Sequence, residues 1–279
     1  MTAGRVRATA EEFVLAGSTA VLGRAEPTEG GYRISGRWPF NSGSLHADWL
    51  MAGFAEPPDP RGGPPRPRLA FLPRPAATIL GTWDVSGLAG TGSHDFVLDG
   101  VAVPAEHTVP LYSAPAVFGD PLHRLSPYNV QAVLMPGFPL GVARRAVDEL
   151  AHLADAGGTD LDPGELLVEA VRAEIDLDAA RALAIGAVDE FWPVLASGQR
   201  LSGAADGRLA LVLRHVSDTA RRVVRTAVDL AGGGAAEPTS PLRRCLADVS
   251  AAGQHIAVSD DMYARNARRY RARPLATTP

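Results

Sequence analysis

The sequence predicts an α+β protein with separate all-β and all-α parts: an antiparallel, barrel-like β-domain over 12–108, then a four-helix bundle over 130–272. Two observations carry this. Apolar residues recur with a period near two in the first part and near 3.6 in the second. Turn formers divide the same way. Gly, Pro and Asp cut the first part into short runs, whereas in the second they mark only the ends of long ones.

The candidate strands, in order, are FVLAG (13–17), YRISGRW (32–38), DWLMAGF (48–54), RLAFLP (68–73), ATILGTW (77–83) and HDFVLDGVAV (94–103). Each alternates, or runs apolar for a few residues, and ends in turn formers. The segment PPDPRGGPPRPR (57–68) is too rich in Pro and Gly for regular structure and reads as a hairpin loop. Residues 1–11 read as a disordered or extended start, 109–129 as a proline-rich connector, and 273–279 as a tail. The helical segments are 143–156, 164–192, 207–231 and 242–270, separated by glycine-containing breaks. More than one face of these helices is apolar, which predicts a homodimer or homotetramer assembled through the bundle.

Composition narrows the function. Of 279 residues 46% are hydrophobic, enough for a sizeable core, and the net charge of −4 argues against nucleic acid or an anionic membrane as partner. All 27 basic residues are arginine, which excludes a Schiff-base lysine and a Walker-type phosphate loop. Cys245 is the only cysteine, so no intrachain disulfide forms. With no signal peptide and no spanning apolar run, the reading is a cytoplasmic protein. His46, His107, His123, His152 and His215 lack partners at ligand spacing, so no metal site is expected.

Three segments carry the chemistry: GRWPFNSG (36–43), SGLAGTGSHDFVLDGVAVP (86–104) and GGGAAEPTSPLRRCLADVSAAGQH (232–255). The first delivers two aromatics, a proline and small polar residues in one burst, as a ligand wall does. In the third, His255 follows Asp248 by seven residues, two helical turns, so one helix would place both on one face. His255 is the best acid–base candidate, because its unperturbed pKa is near neutrality.

In this order, the three segments resemble the acyl-CoA dehydrogenase superfamily, and within it the branch of flavin-dependent monooxygenases. The resemblance covers about Phe13 to about Arg271. It implies a flavin held between β-domain and bundle, lined by the strand of Trp38–Gly43 and approached by Thr91–Ser93, with His255 facing the substrate. If flavin binds, Trp38, Asn41, Ser42, Thr91 and Ser93 are the implied contacts.

The sequence also departs from the family. Ala89 and Leu246–Ala247–Asp248 stand where the family commonly has an arginine and an aromatic–Arg–Asp triplet, and the chain begins just before the first strand. The resulting expectation is a scaffold that works without flavin or other cofactor and lacks the family's preceding helical domain. It would cyclise, rearrange or isomerise a small, largely apolar substrate of specialised metabolism. Its substrate contacts would be Trp38, Phe40, Asn41, Ser42, Thr91, Ser93 and His94, with His255 catalytic. The alternatives are an FMN- or FAD-dependent monooxygenase or dehydrogenase, and a non-catalytic subunit of such an enzyme.

Overall fold

The computed structural model describes residues 13–57, 64–113, 120–156 and 161–272. The expected disordered start and the tail lie outside the described residues, as does 58–63 of the hairpin loop. The chain divides into two compact units, one holding the strands and one holding the helices together with Ser86–Leu88.

The β unit is a seven-stranded mixed sheet in the order β5-β6-β2-β1-β3-β4-β7. Its strands are β1 (Leu15–Thr28), β2 (Gly31–Asn41), β3 (Trp49–Glu56), β4 (Arg66–Pro73), β5 (Thr78–Ile79), β6 (His94–Pro104) and β7 (Thr108–Pro110). Two expectations are corrected. The sheet is not wholly antiparallel, because β1 runs parallel to β3, from Leu15 opposite Trp49 to Arg24 opposite Ala55. Nor, among the described residues, does it close as a barrel, since β5 and β7 stand at its edges. The strand expected over 77–83 shrinks to two residues. Beyond Ile79 the chain turns, with the Thr82 amide donating to the Leu80 carbonyl and the Trp83 amide to Nδ1 of His94.

The core of the sheet follows the alternation of β2. Ile34 and Trp38 point inward with Leu50, Ala52, Phe54, Ala70, Phe96 and Leu98. Trp38 is 0% exposed, stacks on Phe96 with ring centroids 5.0 Å apart, and donates its indole N–H to the Gly53 carbonyl at 2.8 Å. Its slot is cut by two glycines. A Cβ on Gly23 would lie 2.6 Å from the indole, and one on Gly36 2.9 Å from it.

The helical unit contains α1 (Pro127–Leu134), α2 (Gly137–Ala156), α3 (Pro163–Ala196), α4 (Gly203–Ala231), α5 (Pro241–Ala252) and α6 (Met262–Arg271). Entry points are capped as the sequence chemistry requires. Asp162 accepts the Gly164 and Glu165 amides ahead of Pro163 in the first turn of α3, and Ser202 accepts the Ala205 amide of α4. The spine is α4. Its Val223, Val224 and Ala227 pack with α2, α3 and α5, and its Leu209, Leu213 and Val216 pack with α1, α3 and the segment Ala257–Val258. The expected fourth helix, 242–270, is two helices. It stops at Gly253, passes through a 3-10 turn at Ile256–Val258 and restarts at Met262. No described helix is long and apolar enough to cross a membrane.

Candidate functional site

On the β unit, the expected site residues gather where β2 meets β6. Pairing runs from Trp38 opposite Phe96 to Asn41 opposite His94, so three steps on β2 face two on β6. That extra residue is a β-bulge, which tolerates Pro39 because a bulge leaves a ladder position unpaired. Past the bulge the side chains change face. Asn41 turns inward and is fully buried, while Phe40 turns outward, 72% exposed, with φ +62°. A left-handed backbone at a bulky aromatic is a genuine outlier, and such strain persists where the side chain's placement is needed.

Around this bulge the hydroxyls form a row. Ser42 Oγ lies 2.8 Å from Ser93 Oγ, which lies 2.6 Å from Thr91 Oγ1. The Gly43 amide donates to the Thr91 carbonyl at 2.9 Å, locking the two segments together. Outside the row, Phe40 meets Trp83 edge-on, with ring centroids 6.3 Å apart. Trp83 was not singled out in the sequence. It reaches Phe40 because His94 Nδ1 accepts its backbone N–H at 3.0 Å.

Two of the expected ligand contacts are engaged within the sheet. Trp38 is sealed in the sheet core and cannot form a ligand wall. Asn41 spends its amide N–H groups on the carbonyls of Trp38 and His94, at 2.6 and 3.2 Å. The side chains that reach the surface at the bulge are Phe40, Ser42 and, in part, Thr91, with Ser93 as the buried hydroxyl that joins the last two and Trp83 beside them.

The strain at Phe40 gives a test. Phe40→Gly is expected to raise the thermal midpoint by a few degrees, since glycine takes φ +62° freely, while weakening binding of any planar ligand at the bulge. If the midpoint falls and binding is unchanged, Phe40 is a packing residue and not a ledge.

His255 belongs to the other unit. It is not on a helix face with Asp248, because Gly253 ends α5 first. It instead caps the 3-10 turn, with Nδ1 accepting the Ala257 N–H at 3.2 Å. Partial enclosure disfavours the charged form and pulls its pKa below the ordinary imidazole value. With Nδ1 occupied as acceptor, the neutral ring carries its proton on Nε2 and presents a donor. Asp248 has its own partner, the Leu88 amide at 2.6 Å. Leu88 sits at φ +59°, and Gly87 presses so closely on α5 that a Cβ would lie 2.0 Å from the Ala247 carbonyl oxygen. Among the described residues no three His, Cys, Asp or Glu side chains gather at ligand spacing.

Residues 134–260 match the family model of the acyl-CoA dehydrogenase C-terminal domain. The chain is 33% identical to an indole-3-acetate monooxygenase of Pseudomonas putida over 94% of its own length and 68% of that protein's. It is 32% identical to the FADH(2)-dependent resorcinol hydroxylase oxygenase component of a Rhizobium species, over 90% of its length and 66% of the other's. Its fold superposes on XiaF of a Streptomyces species, solved with FADH2 and glycerol, with a TM-score of 0.87 at 22% identity, covering 99% of this chain and 73% of that one. The chain thus spans about two thirds of the length of the curated relatives it matches. These matches overturn the flavin-free expectation, since one relative is FADH(2)-dependent by name and the structural neighbour holds FADH2. That expectation leaned on the two absent arginines and on the lack of the family's preceding domain, but a flavin ring is also gripped by hydroxyls and backbone N–H groups, and the row beside the bulge offers hydroxyls.

Proposed function

Because the chain belongs to the flavin-dependent monooxygenase branch of the acyl-CoA dehydrogenase superfamily, we propose that it is a flavin-dependent oxygenase acting on a small aromatic substrate. The observation that carries this is the hydroxyl row Ser42–Ser93–Thr91 beside the outward ring of Phe40. An isoalloxazine is a flat apolar ring with a polar edge of carbonyls and N–H groups. A phenyl ledge flanked by hydroxyls matches that donor set. Reduced flavin, when bound, supplies the two electrons that split dioxygen between the substrate and water.

The chain's own groups do the rest. Ser42 and Thr91 hold the ring's polar edge, and Ser93 fixes their geometry from beneath. Phe40 and Trp83 offer a stacking face. His255, neutral with its proton on Nε2, donates to a substrate oxygen and so orients and polarises it. The relatives' names, with indole-3-acetate and resorcinol among their substrates, support a substrate of one or two aromatic rings. The matches do not support the cyclase or isomerase reading.

The test is anaerobic titration of the protein with reduced FAD and reduced FMN, followed by oxygen and a panel of phenols and indoles. Reduced flavin should bind, and product mass should rise by one oxygen atom. Ser42→Ala should weaken flavin binding by about tenfold, the usual effect of one lost hydrogen bond near a polar ligand. Absence of binding to either reduced flavin would sink the proposal.

A further inference from the structure

One charged side chain in the helical unit is buried beside the segment that carries His255. Arg214 on α4 is 8% exposed. Its Nε donates to Asp218 Oδ2 at 2.8 Å and its Nη2 lies 2.7 Å from Asp218 Oδ1, a bidentate pair one helical turn along. That grip aims the remaining nitrogen. Nη1 donates to the Val258 carbonyl at 2.6 Å and lies 2.9 Å from Asp260 Oδ1. Val258 closes the 3-10 turn that His255 opens, and Ala257 and Val258 are buried against Leu213 and Val216 of α4. On the other side of His255, Arg221 of α4 lies over Gly253, where a Cβ would sit 3.2 Å from its side chain. The charged groups on or facing this strap include Arg214, Arg221, Asp218 and Asp260, together with Asp261, which pairs with Ser259 and Arg265.

Burying a guanidinium is weak support for stability, because desolvation offsets the pairing. Its geometric effect is specific. Between Gly253 and Met262 the strap has a short 3-10 turn and no α-helix, and Arg214 ties it to α4 at the turn's last carbonyl. We propose that Arg214 is a positioning residue for His255: it fixes the turn so that the Ala257 N–H stays on Nδ1 and the ring keeps its proton on Nε2. This deepens the oxygenase reading, on which the role of His255 rests.

The experiment uses the full chain labelled with nitrogen-15 at histidine, with His255→Gln identifying the resonances. In the wild type, the His255 nitrogens should report a single Nε2–H tautomer. In Arg214→Met they should report a mixture of tautomers and an apparent pKa moved back toward the ordinary imidazole value. Arg214→Lys, which reaches the Val258 carbonyl but cannot make the bidentate grip, should rescue this partly. Asp260→Asn removes the charge of an exposed partner while keeping its acceptor oxygen, and leaves the core undisturbed, so it keeps the proposal testable if Arg214→Met fails to fold. It should give a smaller change of the same sign. Unchanged His255 nitrogen signals in folded Arg214→Met, or in Asp260→Asn and Arg214→Lys together, would overturn the proposal. If the signals change as expected while His255→Gln turns over normally, the positioning role stands and the role of His255 in turnover falls.

Discussion

Trp38→Ala is expected to destabilise the protein by about 3–5 kcal/mol, the range for deleting a large aromatic from a packed core. The indole is fully buried, stacked on Phe96, and seated between two glycines that have no side chain to move into the void. The sheet therefore cannot collapse onto the cavity, which places the cost toward the upper end. The substitution also strands the Gly53 carbonyl, now paired with the indole N–H at 2.8 Å. A buried carbonyl that loses a partner adds its own penalty. Against a typical total stability of about 5–15 kcal/mol, this is a large fraction. Urea unfolding followed by far-ultraviolet circular dichroism measures it. Trp38→Phe should retain most of the stability, losing the hydrogen bond and part of the ring. A wild-type midpoint for Trp38→Ala, with only ligand binding lost, would mean that the indole is a ligand contact after all.

Trp38 shows how the sequence misleads. A burst of Trp, Phe, Asn and Ser on one strand reads as a wall, but a strand sends alternate side chains to opposite faces. Half of that burst had to be core. Pro39 was the legible sign of the bulge, since proline inside a paired strand marks an edge or a bulge, and the bulge decides which half faces out. The period of two located β2, β3 and β6 because each has one buried face. It undersized β1, whose residues are mostly exposed and hence lack the alternation. Parallel pairing of β1 with β3 leaves no mark in either strand's own pattern, because the choice of neighbour is made by the rest of the sheet.

The helical half was legible in its long runs for the same physical reason: α4 must bury a face along its whole length, so its apolar residues keep helical spacing. The break at Gly253 was visible as a glycine but was overridden by apolar spacing that continues on both sides. Once the helix ends there, the seven-residue spacing of Asp248 and His255 has no geometric meaning. Arg214 carried a signal of its own, an acidic residue four positions later on the same helix. That spacing is common on solvated faces, and only the fold shows that Arg214 is buried while Asp218 stays partly exposed.

His255→Gln is expected to lower turnover of the preferred substrate by about a hundredfold, the scale of one lost catalytic hydrogen-bond donor or acid–base group, with little change in reduced-flavin affinity. Glutamine keeps a donor but lacks a ring fixed by a turn, so the loss tests placement as well as chemistry. The same residue makes stability pH-dependent in a stated direction. Enclosure holds its folded pKa below the unfolded value of about 6.5, so between those two values the unfolded chain binds more protons than the folded one. Stability from this group therefore rises with pH across that window and is lost as pH falls through it. The physical reason is desolvation: partial burial penalises the charged imidazolium in the folded chain. Thermal midpoints of wild type measured from pH 7.5 down to pH 5 should fall more steeply than those of His255→Gln, because the variant has no imidazole to protonate. If the two curves run parallel and turnover of the variant stays within a few-fold of wild type, His255 is a surface residue of the strap and the donor to substrate must be sought elsewhere.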